Sequence, residues 1–172
     1  MSLERAAGWT RQLRTTPLSP VAHIATKMLA AMVLGLVAVS VVFAAGLISQ
    51  KPMMPVALWV ATGLAVWAGS LLFTALGLCL GYLLPSENVM QIMSFVLVFL
   101  AFGGGLFIPL HQFPSIVQTL AHYTPLYGLN ALVHWPLMGG ALHVSWVANA
   151  AAWLVLFVGG ASWLFRRDTG RT

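Results

Sequence analysis

KMLAAMVLGLVAVSVVFAAGLI, residues Lys27–Ile48, is the stretch that decides the fold. After Lys27 it carries no charged side chain, and Ser40 is its one hydroxyl. At 1.5 Å per residue it reaches about 33 Å, enough to cross a hydrocarbon core of about 30 Å. A helix apolar on every side has no face to offer water, so its solvent is lipid or other protein.

The same character extends outward in both directions. Of 172 residues, 60% are hydrophobic and 6% charged, where a soluble domain carries roughly a quarter charged. Three further apolar runs follow the first: Val56–Leu84, Val89–Ile108 and Val144–Phe165. The expected fold is an all-α integral membrane protein with four transmembrane helices in residues 21–172. Residues 1–20 form a separate cytoplasmic segment. The first turn is Gln50, Lys51, Pro52 and Pro55. The second is Pro85-Ser86-Glu87-Asn88, where Ser86 or Asn88 suits the N-cap of the next helix. Trp59 suits an interfacial anchor. Gly77 and Gly81 form a GxxxG at which another helix can approach closely. Gly103-Gly104-Gly105 weakens the end of the third span, and a kink, a close backbone contact and a hinge are all open readings of it.

Residues 109–143 hold no charge but are punctuated by Pro109, Pro114, Pro125 and Pro136. Two short amphipathic helices fit here. One places Ile116, Val117, Leu120 and Ala121 on a face, the other Leu126, Leu129, Leu132 and Val133, with Gly139-Gly140 ending the unit. Each is too short to span, so both are expected as interfacial or re-entrant helices. Non-helical backbone at such depth needs shielding by protein or water.

Charge collects at the two ends. The net charge is +5, and seven of the eight Lys and Arg residues lie in Arg5–Lys27 or Arg166–Arg171. These flank apolar runs instead of patterning a soluble face, so the expected contact is membrane lipid and not nucleic acid. Four spans put both termini on one side, and the positive-inside rule makes that side the cytoplasm. Residues 3–16 read as an amphipathic helix with Ala6, Trp9 and Leu13 on one face, Arg5 and Arg11 largely away from it, and Pro17 as its stop. A plain surface anchor and a docking handle both fit it.

The chemistry is mostly negative. No phosphate-cradling GxxxxGK[ST], GxSxG, HExxH or CxxC occurs, so the chain is not expected to be an enzyme or to hold a cofactor. His111, His122, His134 and His143 match no metal-ligand spacing, and no metal is expected. A membrane enzyme using these histidines is the weakest alternative. No span carries an ionisable residue near its centre, which ion-coupled transporters generally need. Work done on a solute then has to arrive from outside, through a cytoplasmic handle such as the opening helix.

ERAAGWTRQLRTTPLSP (Glu4–Pro20) followed by HIATKML resembles the cytoplasmic motif of permeases of the type-2 ABC exporter family, bacterial exporters of drugs, lipids and polysaccharides. GGGLFIPLHQFPSIVQTLAHYTPLYGLNALVHWPLMGG (Gly103–Gly140) resembles that family's segment after its fifth span, and the closing LFRRD also matches. The resemblance implies a coupling helix at Glu4–Thr16 that docks on a separate cytoplasmic ATPase subunit, with Glu4, Arg5, Trp9, Arg11 and Arg14 as contacts. ATP and Mg would be held by that partner. It further implies a second permease chain, re-entrant helices over Pro109–Gly140 that close the outer end of the path, and a place in the bacterial plasma membrane. Family permeases have six spans with the coupling helix after the second, so by this match the first two spans are lacking. The alternative is a non-transporting scaffold or regulatory subunit, or a truncated, inactive permease.

Overall fold

The computed structural model describes residues 20–49, 54–85, 87–108, 110–139 and 141–169. Among them every regular element is helical. In chain order these are α1 (Pro20–Ile48), α2 (Val56–Leu83), α3 (Val89–Gly103), a 3-10 turn at Leu110–Gln112, α4 (Ser115–Ala121), α5 (Pro125–Met138) and α6 (Val144–Thr169). Among the described residues three helices, within Ala22–Ile48, Val56–Leu83 and Val144–Arg167, are long and apolar enough to cross a membrane.

Local sequence explains most of the boundaries. Pro20 stands at the first position of α1, where its missing N–H breaks no helical bond. The helix therefore begins about two turns before Lys27. Leu84 is extended (φ −100°, ψ 146°) because Pro85 disfavours helical geometry in the residue before it, and α2 stops there. Asn88 occupies the N-cap position of α3 but makes no side-chain cap hydrogen bond, and Ser86 lies outside the described residues. The third apolar run departs most from expectation. Its helix has 15 residues, about 22 Å, and ends at Gly103 rather than Ile108. Gly105 takes a left-handed φ of 76°. Leu106 N–H then reaches back to Ala101 O (3.0 Å) and Gly105 N–H to Phe102 O (3.2 Å). This is a Schellman stop, and it needs a residue without a Cβ at Gly105.

α1 packs through one stripe. Ile24 and Met28 meet Leu78, Tyr82, Ala161 and Phe165. Farther along, Trp67 Nε1–H of α2 donates to Met32 O (3.0 Å). A Cβ on Gly35 would come within 3.1 Å of Ser70 Oγ, and one on Gly46 within 2.8 Å of the Trp59 ring. Trp59 also lies against Phe43, with ring centroids 4.9 Å apart, so it is folded onto α1. Contacts at 24, 28, 32, 35, 43 and 46 follow the three-and-four spacing of helices that cross at a shallow angle. The remaining faces of α1, including Leu34, Val37 and Val42, are exposed.

α2 and α6 run side by side in the same direction. Tyr82 meets Phe165 edge-on at 5.6 Å, and a Cβ on Gly160 would lie 3.1 Å from Cys79 Sγ. Ala161 and Ala75 have no exposed surface. A second cluster, Leu72, Ala75, Leu76, Leu129 and Phe157, joins α2 and α6 to α5. The start of α1 and the ends of α2 and α6 thus share one end of the bundle, and the segment between α3 and α6 occupies the other.

Candidate functional site

The segment from Gly104 to His143 departs from the long-helix pattern, and its local chemistry explains how. Pro114 and Thr124 sit at the N-cap positions of α4 and α5 in extended conformations (ψ 150° and 151°). Pro125 is the first residue of α5, fixing its entry angle. Thr124 Oγ1–H donates to Ala121 O (2.7 Å), closing the turn between the two helices. Gly139 ends α5 with a left-handed φ of 68°. Pro136 is accommodated inside the last turn of α5.

α5 is wedged among α2, α3 and α6. Leu126 and Leu129 are buried, as the expected apolar face requires, with Leu132 and Val133 half-buried beside them. On α4 the expected face is only partly covered, for Ala121 is buried while Ile116 and Leu120 are exposed. Three glycines let α5 come close. A Cβ on Gly104 would stand 2.3 Å from Leu126 Cβ, one on Gly69 2.3 Å from Leu129 Cδ1, and one on Gly128 2.7 Å from both Trp146 O and Asn149 Oδ1. The glycine run before this segment is thus a helix stop and a close contact together.

Side-chain amides and an indole hold the non-helical backbone. Asn130 Nδ2–H lies 3.2 Å from Gly104 O and 3.4 Å from Gly105 O. From α6, Asn149 Nδ2–H donates to His122 O (3.0 Å) and Trp153 Nε1–H to Tyr123 O (2.9 Å). Asn130 Oδ1 and Asn149 Oδ1 are buried with no hydrogen-bond partner among the described residues. Apolar cavities flank this assembly: 260 Å³ between α2 and α5, with Ser70, Asn130 and His134 in its wall, and 400 Å³ among α2, α5 and α6. A third, of 320 Å³, lies between α3 and α4.

Of the sequence-derived site residues, Gly104 meets Leu126 of α5, the Gly104 and Gly105 carbonyls face Asn130 of α5, and Pro125 opens α5 and is buried. A Cβ on Gly103 would reach only to 4.0 Å from Thr124 Cγ2. Pro114 caps α4 farther out in the chain. Gly77 faces Met93 Cε of α3, where an added Cβ would be in ordinary contact at 3.9 Å, and Gly81 is buried on α2. Glu4, Arg5, Trp9, Arg11, Arg14 and Pro109 lie outside the described residues. The four outer histidines do not converge. His134 Nδ1 is 2.9 Å from Asn130 O, His122 packs on Tyr127, His143 packs on Trp146, and His111 is in the 3-10 turn. Sequence reasoning missed Asn130, Gly128, Asn149 and Trp153 as a group. The available signal was an amide within an apolar helix, which is costly unless it has a partner.

Comparison with known proteins adds the family. A model described as ABC-2 type transporter matches residues 1–135. A Bacillus subtilis (strain 168) protein described as "Putative transport permease YvfS" is 27% identical over 158 residues, covering 92% of this chain. The chain spans 64% of that relative's length. No solved structure matches it.

Proposed function

Because the chain belongs to the ABC-2 type transporter family, we propose that it is a permease subunit of an ATP-driven exporter in a bacterial plasma membrane. In this reading its helices line half of a translocation path, and a second permease chain supplies the other half. A separate cytoplasmic ATPase holds ATP and Mg. The family match over residues 1–135 carries the reading, because it includes both the basic opening segment and most of the outer segment.

The physical chemistry of the bundle supports an external source of work. Several hydroxyls within the helices are engaged by their own backbones. Thr62 Oγ1–H donates to Leu58 O (2.8 Å), Thr74 Oγ1–H to Ser70 O (2.9 Å) and Ser94 Oγ–H to Met90 O (2.9 Å). A hydroxyl that donates its proton to the carbonyl one turn back is not free to pass that proton on, and the helix centres carry no Asp, Glu, Lys or Arg to bind a driving ion. Mechanical coupling is left, and the basic segment at Glu4–Thr16 is the cytoplasmic handle for it. Both termini are then cytoplasmic. α4 and α5 are re-entrant helices that seal the path on the opposite side, and α3 with the segment after it makes the fourth crossing. The apolar walls suit amphiphilic cargo.

The test is co-purification with the cognate ABC ATPase, expressed alongside the chain. Arg11→Glu with Arg14→Glu is expected to abolish capture of the ATPase while membrane insertion is retained. Capture at the wild-type level would remove the coupling role. Reconstituted vesicles then separate transport from scaffolding: ATP-dependent solute movement supports the permease, and ATPase binding without movement supports a scaffold.

A further inference from the structure

We propose that Asn149 and Trp153 are positioning residues that hold the α4–α5 turn deep against α6, and so set the closed position of the outer segment. The inference rests on the permease reading for which side is outer, and deepens it by naming the residues that fix that end of the path. It starts from an orphaned pair of carbonyls. α4 ends at Ala121 and α5 begins at Pro125, which has no N–H to give. Backbone bonds serve Leu120 O, Ala121 O and Thr124 O in this turn, while the carbonyls between them, of His122 and Tyr123, receive side-chain donors from α6.

The location makes those donors matter. Trp153 is nine residues into α6, roughly 14 Å along its axis from Val144. Next to lipid tails no water substitutes for a lost donor, so an unpaired carbonyl there drives the turn outward toward water. Gly128 permits the geometry, since a Cβ there would strike Trp146 O and push α5 off α6. Both donors are side chains, so releasing the turn unwinds no helix.

The test needs no ATPase. The full chain carrying Cys79→Ala and a reporter at Tyr123→Cys is expressed in membranes and exposed to a membrane-impermeant maleimide. The reporter leaves the Tyr123 carbonyl intact. A second reporter, His143→Cys, marks the connection before α6. Trp153→Phe removes the indole N–H but keeps a ring beside Phe157, whose centroid lies 5.3 Å from that of Trp153. Asn149→Leu removes the other donor. Labelling at position 123 is expected to be slower than at 143 in the parent. It should rise about fivefold for each hydrogen bond removed, with position 143 unchanged. Three results overturn the proposal: no change at 123 in either variant, an equal rise at both reporters, or a parent in which 123 already labels as fast as 143. None of these touches the permease reading, which fails only on the ATPase test.

Discussion

Gly104→Ala probes the fit between α3 and α5 with a single methyl group. Gly104 has φ −87° and ψ 0°, a conformation open to alanine, so the cost is one of packing alone. The new Cβ would stand 2.3 Å from Leu126 Cβ and 3.0 Å from Leu100 O. Carbon atoms in contact sit about 3.5–4.0 Å apart, so Leu126 Cβ has to withdraw by more than about 1 Å. That atom is fixed to the α5 backbone, and no rotamer change moves it. The whole of α5 must shift, which stretches the Asn130 contacts, now 3.2 and 3.4 Å, past hydrogen-bonding range. Overpacking costs about 1–3 kcal/mol and the lost hydrogen bond about 0.5–1.5 kcal/mol, together about 1.5–4.5 kcal/mol. Gly77→Ala is the matched control: its Cβ would meet only Met93 Cε at 3.9 Å, and alanine in a helix interior gains up to about 1 kcal/mol. The assay is the monodisperse fraction of purified protein after heating in detergent. The midpoint for Gly104→Ala should fall by about 5–10 °C, and that for Gly77→Ala should hold or rise. Equal midpoints for the two variants would refute the packing argument.

Three other outcomes are expected. Trp67→Phe deletes the donor to Met32 O and should lower stability by about 0.5–1.5 kcal/mol in the same heating assay. Ala75→Leu places three carbons where no surface is exposed and should cost about 1–3 kcal/mol, whereas Val37→Leu on the exposed face of α1 should be near neutral. Cysteines at Ser2 and Thr172, in the Cys79→Ala background, should react with an impermeant reagent only in inverted vesicles. Labelling of the two from opposite sides would exclude an even number of crossings.

Much of the architecture was legible along the chain. Lys27–Ile48 announces a membrane helix because a charge-free run of that length has no water-facing side. Pro85 announces a helix end because it disfavours α geometry in its predecessor. The alternation of Pro with short apolar faces after Pro109 was enough to place two helices too short to cross. Less legible was the length of α3: its apolar run continues to Ile108, and hydropathy does not report the Schellman bonds that stop the helix at Gly103. The covered part of the α4 face was also out of reach, since amphipathicity gives a direction but not the partner that occupies it.

Sequence alone therefore determined the all-helical, apolar character of the chain and several of its helix ends, all consequences of composition and of bonds between residues a few positions apart. Only the tertiary structure decided which face of each helix meets another. In lipid every face of α1 is equally at home, so hydropathy is silent, and close approach at Gly35 and Gly46 selects the stripe. The pairing of Asn149 and Trp153 with carbonyls 27 and 30 residues away belongs to the same class. An amide in an apolar helix declares that it needs a partner, but only the folded chain says which one.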